Sequence, residues 1–324
     1  MRIIEWNCQG AFRKKNDPIL SLNPDIIIVP ECESKENLSF GKLTPEPSDF
    51  IWYGDSSNKG IGIFSYSDYK LELLPIFNPK FRYVIPIKVQ NNTGAFLLFA
   101  IWAMDNKEYP EERYIGQIWN AINFYKNLLS LPVILVGDFN SNKIWDEKER
   151  SCNHSDLVNF LAKKEIVSVY HELENEAQGE EKQSTFHLYR KKEKPYHIDY
   201  FFTSKHFIKK SKLRIEKFEN WIGLSDHLPL IFDTINPNFQ IEINETFSSL
   251  IINQFKELNP ETKSRFEDVI SKMSLKAKTL DQLSNSIELR KKFTKSTDDL
   301  LQIDKIIYKL TEKLTQSSTK NIFK

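Results

Sequence analysis

The chain has 324 residues, 40% hydrophobic and 13% aromatic, with 45 Lys/Arg against 44 Asp/Glu for a net charge of +1. That length supplies one large core and a smaller second unit, and near-neutrality excludes a global field that draws the protein to nucleic acid or membrane, so local clusters must carry any such attraction. Three scattered cysteines, Cys8, Cys32 and Cys152, argue against a disulfide framework and a structural zinc site.

In chain order, Arg2 to Trp6 reads as a strand ending at Asn7-Cys8-Gln9-Gly10. It begins at once, so no signal peptide is expected. No apolar run approaches the ~18 residues of a membrane span. A cytoplasmic, reducing setting without membrane contact is therefore the expectation. A short helix around Ile19, Leu20 and Leu22 leads to a β-branched run, Asp25 to Pro30, that stops at Glu31. Residues 51–54 and 61–65 read as an antiparallel pair, and 83–89 and 95–102 as another joined by a Gln-Asn-Asn-Thr-Gly turn. A helix is expected over 111–129, with Ile115, Ile118, Ile122, Tyr125 and Leu129 on one face and Glu111 and Glu112 at its N-terminus.

Val133 to Val136 is a short β-branched run, suited to a strand buried on both faces. It ends in Gly137-Asp138-Phe139-Asn140, where the pleat sets Asp138 and Asn140 on one side and Phe139 on the other. A carboxylate and an amide fixed at the end of a core strand are costly to bury, which points to chemistry there. Further on, 155–164 reads as a helix, 172–183 as an acidic surface loop, and 184–188 and 197–202 as strands flanking a basic tip at 190–194. Strands at 213–218 and 230–232 enclose the loop 223–229. Many strands with mixed connections imply two sheets packed face to face, with helices outside. After Asn236-Pro237-Asn238 the texture turns helical: Leu300, Ile303, Ile307, Leu310 and Leu314 repeat at 3, 4, 3, 4. The division expected is 1–237 as one domain and 238–324 as an all-helical extension, available for homodimerisation or a protein partner.

Polar residues follow apolar strands at Asn7, Glu31, Asp138 with Asn140, Asp199, and Asp226 with His227. Each alone suits a turn. Together they supply the oxygen-rich set that a hard divalent cation takes, and not the set that zinc prefers.

Trp6-Asn7, Pro30-Glu31, Gly137-Asp138-Phe139-Asn140, His197-Ile198-Asp199-Tyr200 and Ser225-Asp226-His227, in that order, resemble the motifs of the endonuclease/exonuclease/phosphatase superfamily over about residues 1–235. The resemblance implies an α/β fold, a four-layer α/β/β/α sandwich of two mixed sheets, and Mg²⁺-dependent (or Mn²⁺-dependent) hydrolysis of phosphoesters. By the same resemblance Glu31 is the principal metal ligand, with Asn7 beside it and Asp226 near the metal. Asp138 orients or deprotonates the attacking water, and Asn140 bonds that water or the phosphate. His227 faces the phosphate with its ring held by Asp199, and His197 is a further phosphate contact. Gln9 stands where some members carry an acid, which disfavours a second metal. Trp102 stands where relatives often carry His or Tyr, and either stacks on substrate or packs. Arg190, Lys191 and Lys192 suit a phosphate backbone, so a nuclease acting on DNA or RNA is the expectation. The alternatives are a phosphatase or phosphodiesterase acting on a small phosphorylated or lipid substrate, and a non-catalytic protein that binds partners through its helical tail.

Overall fold

The structure is a computed structural model that describes residues 1–74, 77–150 and 152–235. The all-helical extension expected over 238–324 lies outside the described residues. Fourteen strands are described: β1 (Arg2–Glu5), β2 (Ile26–Cys32), β3 (Asp49–Ser56), β4 (Lys59–Ser65), β5 (Lys70–Leu73), β6 (Val84–Asn91), β7 (Gly94–Trp102), β8 (Val133–Asp138), β9 (Ile166–Ser168), β10 (Phe186–His187), β11 (Pro195–Tyr196), β12 (Asp199–Ser204), β13 (Lys212–Ile215) and β14 (Leu230–Asp233). The described helices are α1 (Asn16–Leu20), α2 (Lys35–Leu38), α3 (Ile115–Phe124), α4 (His154–Ala162), α5 (Val169–Glu174) and α6 (Phe218–Trp221).

The strands build two six-stranded sheets, ordered β13-β14-β1-β2-β4-β3 and β5-β6-β7-β8-β12-β9, with β10 and β11 as a small ribbon. Both sheets are mixed: β1 runs parallel to β2 and β7 parallel to β8, among antiparallel neighbours. The runs Ile26–Val29 and Val133–Val136 are wholly buried, as central strands covered on both faces must be. In β1 the pleat splits the side chains. Ile4, with Trp6 just beyond the strand, packs under α1, α2 and α6 with Phe12, Ile19, Leu38 and Trp221, which leaves Ile3 and Glu5 facing the other sheet. Burying each large aliphatic or aromatic side chain contributes roughly 1.5–3 kcal/mol. The layers are thus helix, sheet, sheet, helix, the sandwich that the motifs imply. No described helix is long and apolar enough to cross a membrane.

Four local readings are corrected. The expected helix 111–129 is helical only from Ile115 to Phe124, with 3₁₀ turns at Pro110–Glu112 and Leu128–Ser130. Tyr114, at φ 49°, breaks its start, although Ile115, Ile118, Ile122, Tyr125 and Leu129 are all buried as the spacing requires. The segment 172–183 is a surface loop as expected only after Glu174, where α5 ends, and within it Glu181 accepts hydrogen bonds from His171 Nε2, Asn142 Nδ2 and the Gly179 N–H at 3.0–3.1 Å. The strands placed at 184–188 and 197–202 resolve into the β10–β11 ribbon and a β12 that starts at Asp199, and the strand at 213–218 stops at Ile215. Strands β5 and β9, too short to show a period, were not foreseen.

Candidate active site

The C-terminal ends of β1, β2, β7 and β8 meet the start of β12 at one end of the sandwich. Asp138 closes β8 directly opposite Asp199 in β12 and Trp102 at the end of β7. Gly137 makes this closeness possible: at φ 144°, a Cβ there would lie 1.8 Å from the Ile101 carbonyl oxygen. Asn140, at φ 45°, folds back so that its N–H and its side-chain amide donate to the two Asp138 oxygens at 2.9 and 3.0 Å. Asn7 Nδ2 adds a third bond to Asp138 at 2.9 Å. The Asp138 carboxylate is therefore aimed rather than free. Burial first, then the charge of Asp199, raises its pKa, opposed by His227 and these donors.

His227 Nδ1 stands 3.0 Å from both oxygens of Asp199, and its Nε2 is 3.9 Å from Asp138 Oδ2 and 4.0 Å from Asp226 Oδ1. Burial opposes charge on the ring. The charge and hydrogen bond of Asp199, then Asp138 and Asp226, outweigh it and push the His227 pKa up to about 10. Donor atoms of Asp138, Asp199 and His227 lie within 4.8 Å of one another, close enough to hold a metal. A doubly protonated imidazole offers no lone pair, however, so His227 joins such a set only after losing a proton.

A second face of the cluster fits a hard cation better. Glu31 lies at a bulge in β2, at φ 62°, where the register shifts between Pro30 and Cys32 and the side chain is re-aimed. Asn7 Nδ2 is 3.5 Å from Glu31 Oε1. Asp226 is near enough to Glu31 that, after burial, the Glu31 charge contributes to raising its pKa. The two carboxylates keep 20% and 17% of their side chains exposed, which leaves room for a partly hydrated ion. Oxygen donors, like charge and access together suit Mg²⁺ or Mn²⁺. Gln9 Nε2 donates to Asp226 Oδ2 at 2.8 Å.

The structure thus brings Asn7, Glu31, Asp138, Asn140, Asp199, Asp226 and His227 together. His197 lies elsewhere: its ring is buried against Tyr170 and Tyr200, with Nδ1 donating to the Gln183 carbonyl at 2.8 Å. Trp102 is 3% exposed and backed by Tyr83, which makes it a packed strand end and removes it as a stacking platform. Arg190 donates to Gln9 Oε1 and to the Gly223 carbonyl, so it braces the rim beside Asp226. Lys192 pairs with Glu219 at 2.7 Å, and Lys191 is exposed.

Three residues that position the site had no role assigned from the sequence. Thr185 takes the Ile198 and Asp199 N–H groups on its hydroxyl, and its carbonyl takes the Leu228 N–H at 2.7 Å, tying Asp199 to the His227 loop. Ser225 Oγ donates to the Asn7 carbonyl and accepts from the His227 N–H. Lys59 Nζ lies 3.0 Å from Glu31 Oε2. Thr185 acts through bonds to backbone that carry no sequence signal, whereas Ser225 stands in the Ser225-Asp226-His227 motif with no role of its own assigned. Lys59 sits beside a turn, which is the only hint the sequence holds.

Residues 4–227 match the family described as Endonuclease/Exonuclease/phosphatase. The fold is similar to a 3′ phosphatase, NExo, from Neisseria, bound to a product DNA hairpin (18% identity, TM-score 0.52, 73% of this chain and 100% of that one). It is also similar to an AP endonuclease from Archaeoglobus fulgidus (17%, 0.52, 73% and 100%) and to the AP endonuclease LMAP from Leishmania major (12%, 0.55, 73% and 88%). These likenesses establish the fold. No curated protein matches the sequence.

Proposed function

Because the chain belongs to the endonuclease/exonuclease/phosphatase family, we propose that it is a divalent-metal-dependent phosphoester hydrolase that cleaves nucleic-acid phosphodiesters, with residues 1–237 as its catalytic domain. The observation that carries this is the His227 ring, locked on Asp199 and facing Asp138 across 3.9 Å, beside the Asn7–Glu31–Asp226 face. In the proposed reaction Asp138, held by three N–H donors, orients a water and takes its proton as the new O–P bond forms. The imidazolium of His227 donates to a phosphoryl oxygen and offsets the charge that builds there before the ester P–O bond breaks. Solvent supplies the proton to the leaving oxygen. Asn7, Glu31 and Asp226 would hold the cation, which supplies further charge stabilisation at the phosphate.

One observation favours the small-phosphoester alternative. Arg190 and Lys192, expected to track a phosphate backbone, are engaged by Gln9 and Glu219. The test is hydrolysis of labelled single- and double-stranded DNA and RNA, and of small phosphoesters, with Mg²⁺ or Mn²⁺ and with chelator. Metal-dependent cleavage of nucleic acid, lost in Glu31→Gln and His227→Ala, is expected. Cleavage of small esters alone moves the substrate to the alternative. Inertness toward all of them, or full activity in both variants, overturns the proposal.

A further inference from the structure

We infer that Lys59 is the resident cation of the metal face: its ammonium neutralises Glu31 when no metal is bound and competes with the divalent ion for that carboxylate, so that it sets the metal affinity. The inference rests on the metal-dependent reading above.

Lys59 opens β4 at the tip of the β3–β4 hairpin, paired with Ser56 across a two-residue turn. That tip is tied to the segment following Glu31. The Ser34 N–H and the Asn37 side-chain amide both donate to the Ser57 carbonyl, at 2.9 and 2.8 Å, and Asn37 also reaches Asn58 Oδ1 at 3.0 Å. Lys59 and Glu31 are therefore held at fixed backbone separation. The ammonium sits 3.0 Å from Glu31 Oε2 and 5.2 Å from the centroid of the Trp102 ring. The indole cannot move away, since Tyr83 backs it and its strand register sets it opposite Asp138. Lys59 thus rests between an anion and an aromatic face, both fixed, and this gives the buried Trp102 a use at the strand end.

The consequence follows from charge. The lysine side chain is 49% exposed, so the pair is weak enough for a multiply coordinated divalent ion to break. Binding metal through Glu31 requires that ammonium to leave, and removing it lowers the cost of metal uptake. Arg190, Lys15 and the charged His227 ring interact with Asp226, while the ion pair to Glu31 comes from Lys59.

The experiment measures Mn²⁺ uptake by the full chain from the electron paramagnetic resonance signal of free Mn²⁺, with Lys59→Met, Lys59→Arg and Glu31→Gln as variants. Lys59→Met is expected to bind Mn²⁺ about fivefold more tightly, Lys59→Arg to stay close to wild type, and Glu31→Gln to lose the binding. Unchanged or weaker affinity in Lys59→Met overturns the inference while leaving the metal site standing. Lys59→Gln gives the same reading should Lys59→Met not fold. If the wild-type chain takes up no Mn²⁺ that depends on Glu31, the metal-dependent reading itself falls, and this inference with it.

Discussion

His227 Nδ1 lies equidistant, at 3.0 Å, from the two carboxylate oxygens of Asp199, and Asp199 has no access to solvent at all. A buried carboxylate so placed orients the ring and favours its charged form. In the metal-free protein the His227 ring nitrogens are expected to titrate near 10. In Asp199→Asn the burial cost remains and the largest attraction is gone, with only Asp138 and Asp226 still favouring the charged ring, so the pKa should fall well below 10. Imidazole ¹⁵N chemical shifts against pH check both. The folded pKa lies above the unfolded one, so the stability this pair contributes is complete below ~6.5 and lost as pH rises toward about 10. Turnover of Asp199→Asn on its best substrate should drop by about 10²–10⁴.

The opposite sign holds at His154. Burial depresses its pKa to about 4, and its ring nitrogens meet Ser141 Oγ and Gln178 Oε1, both at 3.1 Å. The unfolded chain takes up a proton below ~6.5 that the folded chain refuses until about pH 4. Stability contributed by neutral His154 is thus present above ~6.5 and lost as pH falls toward 4, by about 2–3 kcal/mol. Urea denaturation at pH 7, 5 and 4 should show this loss, and His154→Gln should flatten it.

Glu5 is wholly buried and faces the gap between the sheets, where burial first, then Asp199 and Asp138, hold its pKa far above the usual carboxylate range. Neither carboxyl oxygen makes a hydrogen bond of ordinary geometry, and the Asn7 N–H acts on it only weakly. Replacing it by an apolar chain of similar length removes an uncompensated polar group. Glu5→Met should therefore be more stable by about 1–3 kcal/mol at neutral pH. The gain should shrink toward pH 4, where the unfolded carboxyl is protonated as well. Guanidinium melts across that range measure it.

Gly137→Ala should do the reverse. The added methyl would lie 1.8 Å from backbone at Ile101, in a conformation already at φ 144°. Backbone cannot yield as a flexible side chain does, so β7 and β8 must part where Trp102 and Asp138 pair. A loss of about 3 kcal/mol or more is expected in chemical denaturation, with activity falling further because Asp138 moves off Asp199.

The strand-end residues were legible because β-branched runs that stop at a lone acid or amide leave few structural uses for it. Asp138, Asp199 and His227 could be paired from the sequence by family motif. That Glu31 is aimed by a bulge could not, since nothing in Pro30-Glu31-Cys32 signals φ 62°. The acidic composition of 172–183 suggested solvent, yet Glu181 gathers three N–H donors on one oxygen, a partnership that only the folded chain supplies. The apolar spacing runs past the helix 115–124 because the 3₁₀ turn at Leu128–Ser130 keeps apolar residues on the same side as a helix does. Thr185 leaves no mark in the sequence pattern, because its hydroxyl and carbonyl serve other residues' backbone.

Gln9, Glu31, Asn140 and Arg190 all hold positive φ, between 45° and 62°, and all border the same cluster. Each left-handed residue costs on the order of 1 kcal/mol that glycine would not. A library selected for heat resistance alone should therefore enrich glycine at these four positions and yield robust, inert proteins. Only a screen that demands turnover would keep the side chains in place.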